Sequence, residues 1–474
     1  MPSDEASTRG TGPFQIGGVI PHLTLKAELG PPRTECGVGA LMPWAGRLWA
    51  LSYVSHKAGT GLGTGLYEID DSFSLVKRPE SRVGTYANRF VHWESNQLIM
   101  GPHLIDAERN VRTVEPLVDV RLCGTMGHLE DPGNRVYMLG MEGEFFETDV
   151  RTLEVKQLFD LTRELDLPPG RYGKGRQTAH FKAGYTGFGR VVVANNSYDE
   201  PDFLAPDGAG RLAEWDGNQW RILERTAFVE VTGRGESSKA IFATGWDRAS
   251  AILEVYTSGD GKWTRYRLPK ASGTYDHAWS TEWPRIRETE HERYLMDCHG
   301  MFYEVSPHVY GNRIWGVQPI SRHLWVLGDF CTWRGLLVLG ADNASPAAGR
   351  NALMGEPQSG LWLGKTDDLW RFGRPAGWGG VWWQEAVKAG QPSDPYLMTG
   401  FDKKALHLAH ESEQPVAFNV EVDFLGHGAW KEYGTFSVSP RGYVHHEFPS
   451  GFSAHWVRVT AERACTATAH LVYT

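Results

Sequence analysis

The sequence contains no long apolar run. Nowhere in its 474 residues do about 18 consecutive apolar residues occur, which is the length that a membrane-spanning helix requires. The N-terminal stretch MPSDEASTRGTGPF also lacks the apolar core of a signal peptide. We therefore expect no membrane association. We also expect a cytoplasmic location for the chain as written, or a secreted or periplasmic one if a signal has been trimmed.

Cysteine is scarce as well. The chain has only five cysteines, an odd number with wide spacing and no CxxC pair: Cys36, Cys123, Cys298, Cys331 and Cys465. A disulfide framework or a zinc ribbon needs paired, closely spaced cysteines. The pattern instead predicts buried structural thiols in a reducing compartment.

Positive charge does not dominate the chain, and the common catalytic motifs are missing. The 48 basic residues are outnumbered by 57 acidic ones, giving a net charge of -9, so we expect no nucleic-acid partner. GxSxG, HExxH, a P-loop and a GxGxxG that opens a helix do not occur. The glycine run GTGLGTG at 59–65 leads into the strand-like GLYEID, and phosphate binding of this kind needs a helix N-terminus there.

What the sequence does contain is many short apolar runs separated by turn residues, with 55 glycines and 19 tryptophans. The best helix signal is the short DLTRELDL at 160–167. Four strand-like segments recur at a spacing of roughly fifty residues, which is typical of propeller blades. We count seven such units, from GALMPWAG near residue 39 to a tryptophan-rich close at VWW.

These patterns predict an all-β fold with three parts. Residues 1–35 form an N-terminal extension, and 36–395 form a seven-bladed β-propeller. Residues 396–474 alternate at period two without the blade pattern. We expect them to form a small β-sandwich packed on the propeller, with a supporting role.

The third strand of several units carries the same aromatic and acidic pattern. It reads LYEID at 66–70, FFETD at 145–149, LAEWD at 212–216 and FYEV at 302–305. We expect these Glu and Asp residues to face solvent or to cap turns, since Asp favours turns through side-chain to backbone bonds.

One face of such a propeller receives the loops that join strand two to strand three and the loops that join successive blades. Each residue on these loops, taken singly, is more often structural than functional. Together they form a rim rich in His, Arg, Asn and Tyr that is the candidate pocket. The rim residues that we single out are His56, Arg89, His103, Arg121, Arg176, Asn195, Trp246, Tyr275, His277 and His299.

Several long stretches resemble a known enzyme family. They are CGVGALMPWAGRLWALSYVSH, GTGLYEID, ESNQLIMGPHLID, YTGFGRVVVANNSYDEP, FATGWDRASAILEVY, YLMDCHGMFYEV and GLWLGKTDDLW. The chain resembles the L-rhamnose-α-1,4-D-glucuronate lyases, a seven-bladed propeller family first classed as α-L-rhamnosidases. The resemblance spans most of the chain. It implies removal of terminal L-rhamnose from glucuronic acid on arabinogalactan and gum arabic-type glycans, with His56 at the position of the family's catalytic histidine.

The implied β-elimination sets chemical requirements that the rim can be tested against. A cation must neutralise the uronate carboxylate, for which we nominate Arg89, Arg121 and Arg176. A base, His56 or His299, removes the C5 proton, and Tyr275 or His277 protonates the leaving oxygen. Asn195, Trp246 and His103 complete the predicted substrate contacts.

Alternatives remain open at this point. A hydrolase would need two carboxyl groups roughly 5 to 9.5 Å apart, and the rim has acids as well. A metal-dependent lyase would need clustered rim histidines, and a non-catalytic glycan-binding propeller would need no base. We expect a monomer that acts on an oligosaccharide or polysaccharide without a required cofactor. A structural Ca²⁺ held by oxygens such as those of Asn195 or Asp297 is a further alternative.

Overall fold

The strand bounds show how the predicted repeat is built. The computed structural model describes residues 18–19, 36–54, 65–82, 84–168, 179–197, 208, 210–271, 283–323, 325–346 and 355–474. Strands are numbered in chain order, beginning with β1 (Gly18–Val19). The first blade contains β2 (Cys36–Trp44), β3 (Arg47–Val54), β4 (Leu66–Ile69) and β5 (Leu75–Lys77). The second contains β6 (Arg89–His92), β7 (Gln97–Met100), β8 (His103–Asp106) and β9 (Val111–Thr113).

The next three blades follow the same order. The third contains β10 (Leu122–Gly127), β11 (Arg135–Gly140), β12 (Glu144–Asp149) and β13 (Val155–Asp160). The fourth contains β14 (Phe181–Gly187), β15 (Arg190–Asn195), β16 (Arg211–Trp215) and β17 (Trp220–Glu224). The fifth contains β18 (Ala227–Gly233), β19 (Ala240–Trp246), β20 (Ala251–Thr257) and β21 (Lys262–Leu268).

The last two blades each depart slightly from this order. The sixth contains β22 (Arg285–Glu290), β23 (Arg293–Cys298), β24 (Met301–Val305) and β27 (Val317–Arg322), with the small hairpin β25 (Val309–Tyr310) and β26 (Arg313–Ile314) inserted before β27. The seventh contains β28 (Leu327–Trp333), β29 (Leu336–Pro346) and β30 (Gly355–Gly364). The described α-helix, α1 (Leu161–Glu164), lies within the segment predicted to be helical. Short 3-10 turns cover Trp93–Ser95, Glu115–Leu117, Gly235–Ser237 and Thr366–Arg371.

The seven sheets close into a ring. The innermost strands β2, β6, β10, β14, β18, β22 and β28 contact one another in this order, and β28 returns to β2. Because each four-stranded sheet packs on its neighbours, both of its faces are buried, which one blade alone does not achieve. The chain is therefore an all-β, seven-bladed β-propeller.

The closure of the ring differs from the prediction. The fourth strand of the seventh blade is β1, which pairs antiparallel with β30, Gly18 lying opposite Leu363. The N-terminal region thus supplies a blade strand and is not only an extension. The VWW segment, predicted to close this blade, belongs instead to β31 (Gly377–Val387), which pairs with the C-terminal strand.

The C-terminal strands form two sheets that share one core. One sheet contains β31, β33 (Lys404–His410), β36 (Tyr443–Glu447) and β38 (Cys465–Tyr473). The other contains β32 (Tyr396–Leu397), β34 (Val416–Asp423), β35 (Lys431–Val438) and β37 (Trp456–Ala461), and β32 continues the fifth blade by pairing in parallel with β21. The predicted C-terminal β-sandwich is confirmed, and it begins at Gly377, before the predicted boundary at 396.

Close backbone approach near the axis explains two inner-strand glycines. Gly39 and Gly328 each occupy a register shift of an innermost strand. A Cβ on Gly39 would overlap the carbonyl oxygen of Tyr86, and one on Gly328 would overlap that of Val38. Glycine is needed at these positions because the neighbouring blade leaves no room for a side chain.

The repeated acidic residues of the third strands have specific partners. Glu68 binds Arg78 at 3.2 Å, Glu147 binds Arg135 at 2.8 Å, Glu214 binds Arg190 at 2.9 Å and Glu304 binds Arg293 at 2.9 Å. The expectation that these glutamates face solvent is wrong for Glu214, whose side chain is only 10% exposed. The aspartates do cap turns as predicted: Asp70, Asp149 and Asp216 accept backbone N–H bonds from the residues that follow them.

The described cysteine side chains are free thiols. Cys123, Cys298 and Cys331 are buried and Cys465 is half-buried. Burial raises the pKa of the Cys123 and Cys298 thiols above the usual value, so they are protonated and unreactive at neutral pH. In the part of the chain that the structure describes, no helix is long and apolar enough to cross a membrane.

Candidate functional site

The predicted rim residues that the structure describes lie at one end of the ring. Innermost strands begin there, second strands end there and third strands begin there. Hydrogen bonds connect neighbouring blades at this end. Ala87 N–H donates to Leu122 C=O between blades two and three, and the Arg285 side chain donates to Gly328 C=O between blades six and seven. The rim residues placed there are Arg89, His103, Arg121, Asn195, Trp246 and His299. His56, Arg176, Tyr275 and His277 lie outside the described residues.

Three of these residues have local structural partners. The buried His103 ring contacts Thr113 Oγ1 at 3.0 Å through Nδ1. Arg121 binds the neighbouring Glu142 at the surface, with Nε 2.6 Å from Oε1. Asn195 Oδ1 accepts from His180 N–H at 2.8 Å. The structure does not bring these three side chains to one pocket, so their predicted role in substrate binding receives no support from the geometry.

His103 allows a prediction about the pH dependence of stability. Burial, with a contribution from Arg82, lowers the pKa of His103 from 6.5 to about 4. Between pH 7 and 4.5 the unfolded chain takes up a proton at this position and the folded chain does not. The free energy of unfolding should therefore fall by about 2 kcal/mol on acidification because of this group. Urea unfolding of the wild type and His103→Gln at both pH values should show a smaller loss in the variant, and equal losses would contradict this assignment.

His299 is poorly placed to act as the base. Its ring is 1% exposed and lies edge-on to the Trp246 indole, with the ring centroids 5.4 Å apart. Burial, and then the charge of Lys270, lower its pKa well below 6.5. Within the described ranges, neither ring nitrogen has a hydrogen-bond partner. A base that substrate must reach requires access, and this imidazole instead packs between blades five and six.

A charged cavity of about 220 Å³ lies between the innermost strands of blades two to six. Its walls carry five charged side chains, of both signs: Arg89, Lys182, Glu230, Arg285 and Arg287. Lys182 occupies the register shift of β14, and such a bulge re-aims the side chain it carries. Arg285 and Arg287 alternate along β22, so they share one face of this strand.

Two carboxylates hold the arginines of the cavity in place. Asp329 Oδ1 accepts from Arg287 Nε at 2.8 Å, and Asp329 Oδ2 lies 3.1 Å from Arg89 Nε. Asp329 Oδ2 also accepts from Leu41 N–H at 2.8 Å. On the other side, Glu230 Oε2 accepts from Arg287 Nη1 at 2.9 Å. Innermost strands of five blades are linked by this network, which fixes the guanidinium groups.

The indole of Trp283 lies close to two of the cations. Lys182 Nζ is 4.5 Å from the ring centroid and Arg285 Cζ is 5.0 Å from it. The ring of Tyr53 packs on the same indole at 5.0 Å between centroids. Cation–π attraction of this kind stabilises positive charge where water is excluded.

The electrostatics of the cavity favour an anionic ligand. Among the described residues, the walls and the adjoining Asp329 together carry four positive and two negative charges. Burial lowers the pKa of Arg89 and Arg285, and the nearby carboxylates offset this only in part. Burial alone would raise the pKa of Asp329, but Arg287 and Arg89 outweigh it and hold the pKa below its ordinary value. A bound carboxylate would therefore compensate positive charge that the protein keeps away from water.

The sequence prediction identified only Arg89 of this group. It searched the loops, whereas Lys182, Glu230, Arg285, Arg287 and Asp329 lie within the first strands of their blades. A signal was available: FKAG, FVEV, RIRE and LGDF each place a charge at the start of an apolar inner strand. Charged residues are rarely buried unless they are paired or functional.

A metal site finds no support in the described residues. They contain no group of three His, Cys, Asp or Glu side chains positioned to hold an ion. The two oxygen groups suggested for calcium have protein donors: Asn195 Oδ1 accepts from His180 and Ser197, and Asp297 Oδ1 lies 3.0 Å from His323 Nε2. These residues belong to different blades and do not form a calcium shell.

Comparisons with known proteins identify similar folds only. No protein-family profile and no curated protein matches the chain. Among solved structures, the chain is similar to U3-55K, at 9% identity and a TM-score of 0.41, covering 72% of this chain and 98% of that one. It is also similar to the β-propeller domain of Myceliophteria thermophila Cps50 (Swd1), at 10% identity and a TM-score of 0.39, covering 70% and 98%. The fold described above depends on the strand pairing and not on these similarities.

Proposed function

We propose that this protein is an exo-acting lyase that removes terminal L-rhamnose from α-1,4-linked D-glucuronic acid by β-elimination. The observation that carries the proposal is the excess of fixed positive charge in the cavity at the centre of the ring. The resemblance of the sequence to the rhamnose-glucuronate lyases supplies the reaction and the glycan. The cavity supplies what that reaction needs most, a cationic environment for a sugar carboxylate.

The cations of the cavity make the C5 proton of the bound glucuronate more acidic. A charged carboxylate makes the neighbouring C5 proton hard to remove, because the product carbanion places a second negative charge beside it. Arg89 and Arg287, with side chains 15% and 16% exposed, are the cavity guanidinium groups nearest to solvent. Preorganised donors of this kind stabilise the enolate-like transition state without rearranging.

The bond changes then follow from the elimination. A base takes the C5 proton, the C5–H electron pair forms the C4=C5 double bond, and the C4–O bond breaks. The departing rhamnose oxygen takes a proton from an acid. The resemblance assigns the base to His56 and the rim prediction assigns the acid to Tyr275 or His277, three residues outside the described ranges. Because His299 is buried, this proposal keeps His56 as the base and drops His299.

Hydrolysis is less well supported by the same cavity. A hydrolase requires a protonated carboxyl group as its acid. Asp329 is held ionised by two arginines, and Glu230 accepts from Arg287. Among the cavity residues that the structure describes, both carboxylates thus serve to position cations.

The test is a product assay with rhamnosyl-glucuronate oligosaccharides. We expect one unsaturated glucuronate, detected by its ultraviolet absorbance, for each rhamnose released. His56→Ala should remove both signals and leave the thermal unfolding temperature unchanged. Rhamnose release without the chromophore would replace the proposal with a hydrolase. Saturable binding without release would replace it with a glycan-binding propeller.

A further inference from the structure

The outer face of the C-terminal sheet formed by β31, β38, β33 and β36 carries a row of aromatic side chains. Along β33, Leu406 and Leu408 are buried in the sandwich core, and the alternate residue His407 is half-buried on the other face. His407 lies directly opposite His470 on β38 and His445 on β36. Three imidazoles therefore stand side by side across three strands, a span of about 10 Å at the usual strand spacing.

Two further rings adjoin this row. The Tyr443 ring lies nearly parallel to that of His407, with an interplanar angle of 16° and 6.0 Å between centroids. The Tyr443 hydroxyl is 2.7 Å from His407 Nδ1, which fixes both rings. At the other side, Trp383 packs edge-on to His470, with the ring centroids 5.5 Å apart.

Two adjoining depressions follow these rings. The first, of about 350 Å³, is lined by residues that include Trp383, His407, His470 and Val472. The second, of about 530 Å³, shares Ala409, Tyr443 and Thr468 with the first. It adds polar groups at its edge, namely those of Gln384, Glu411 and Arg441. The result is an elongated groove with an aromatic floor and a polar end.

We propose that this groove, the aromatic groove, binds an oligosaccharide chain. A pyranose ring presents an apolar C–H face that packs on aromatic rings and a hydroxyl edge that hydrogen-bonds polar side chains, and the groove offers both. The length of the row, about 10 Å, accommodates about two sugar rings. The proposal is independent of the lyase reaction, since none of these residues lines the central cavity.

The charge state of the row also suits an uncharged sugar chain. Burial, and then the neighbouring His407, lower the pKa of His470 to about 4. Burial and His445 likewise lower the pKa of His407. Both rings are therefore neutral at pH 7 and add no positive charge to the groove. His470 Nδ1 itself is buried and has no partner among the described residues.

The groove is coupled to the propeller at its rim. Trp378 on β31 exchanges two backbone hydrogen bonds with Lys270, at 2.7 and 2.9 Å. Lys270 Nζ also lies 5.2 Å from the Trp378 ring centroid. Lys270 follows β21 at the end of the ring that carries the rim residues, and it lowers the pKa of both His299 and His470. Because the Trp378 ring lies 6.1 Å from that of His470, the His470 side of the groove is close to this end of the propeller.

The test is affinity electrophoresis of the full chain in native gels containing a soluble galactan, xylan or β-glucan. We expect at least one polysaccharide to retard the wild type. Trp383→Ala and, separately, Tyr443→Ala should weaken this binding about tenfold, equal to about 1.4 kcal/mol. Tyr443 is 60% exposed, so its replacement leaves the core intact if Trp383→Ala proves unstable.

Controls separate this groove from the central cavity and from nonspecific aromatic binding. Trp93→Ala removes an indole that is 72% exposed on the second blade and should retain full retardation. Lys182→Met, a change in the central cavity, should also retain it whether or not the protein is a lyase. Absence of retardation by all three polysaccharides would overturn the proposal. So would concentration-dependent dimerisation that Trp383→Ala abolishes, because the face would then be a protein interface.

Discussion

Replacing Asp329 by alanine is expected to destabilise the folded protein by about 3–5 kcal/mol. The carboxylate is fully buried and binds Arg287, Arg89 and the Leu41 amide. Removal of it leaves two guanidinium groups and one N–H without their main acceptor, in a place that water does not readily reach. The cost of breaking a buried ion pair from one side arises from the charge left behind. Here two charges are left.

Urea unfolding followed by tryptophan fluorescence measures this loss. Asp329→Asn keeps the shape and one acceptor oxygen, so it should be destabilised less than the alanine variant. The matched control is Asp367→Ala, since the Asp367 side chain is 80% exposed and lies 3.8 Å from Arg293. Exposed pairs of this kind contribute about 0–1 kcal/mol. A loss at position 329 no larger than that at 367 would show that the network does not hold the ring together.

The repeat was predictable because the fold is built from local meanders. In the first five blades, the four strands follow one another along the chain, as the predicted repeat of four strand-like segments requires. Each strand pairs mainly with its sequence neighbour, so a pattern of short apolar runs and turns carries most of the topology. The strand content of the sandwich was predictable from the period-two alternation of strands such as β33 and β34, but its pairing was not, because most of its strands pair with distant ones.

The ring closure was not predictable from pattern. β1 is two residues long and pairs with β30 near the other end of the propeller. Such a strand is too short to show periodicity, and its pairing is entirely non-local. The VWW segment has the composition of a blade strand, but composition does not determine which strand it pairs with. In the structure β31 pairs with the C-terminal strand β38 over most of its length.

The sequence analysis placed the candidate site on loops at one end of the ring, whereas the charged residues that converge lie on the innermost strands. Loop residues such as Arg121 and Asn195 have hydrogen-bond partners within their own blades. The charged residues that converge lie on the innermost strands, and their side chains face the axis of the ring. A glutamate between apolar neighbours, as in FVEV, is indistinguishable in sequence from a surface residue of a two-faced strand. Only the closed ring shows that this glutamate, Glu230, faces the central cavity and not solvent.

Replacing Lys182 by methionine is expected to lower turnover of a rhamnosyl-glucuronate substrate by about 10²–10³-fold, the usual cost of removing one preorganised charge donor from a transition state. Lys182 reaches the cavity wall from the bulge of β14 and lies on the Trp283 indole. Methionine has a similar length and packs well on aromatic rings. The variant therefore tests charge with little change in packing.

Binding and stability measurements distinguish this role from a structural one. Glucuronate should raise the unfolding temperature of the wild type, because a ligand bound only by the folded state stabilises it. This rise should be much smaller in Lys182→Met, while the unfolding temperature without ligand should stay equal or increase, since a buried cation has been removed. The control is Arg121→Met, which removes a cation from the same end of the ring but outside the cavity. If Arg121→Met loses turnover and Lys182→Met keeps it, the carboxylate is bound on the rim, and the central cavity is only the structural axis of the propeller.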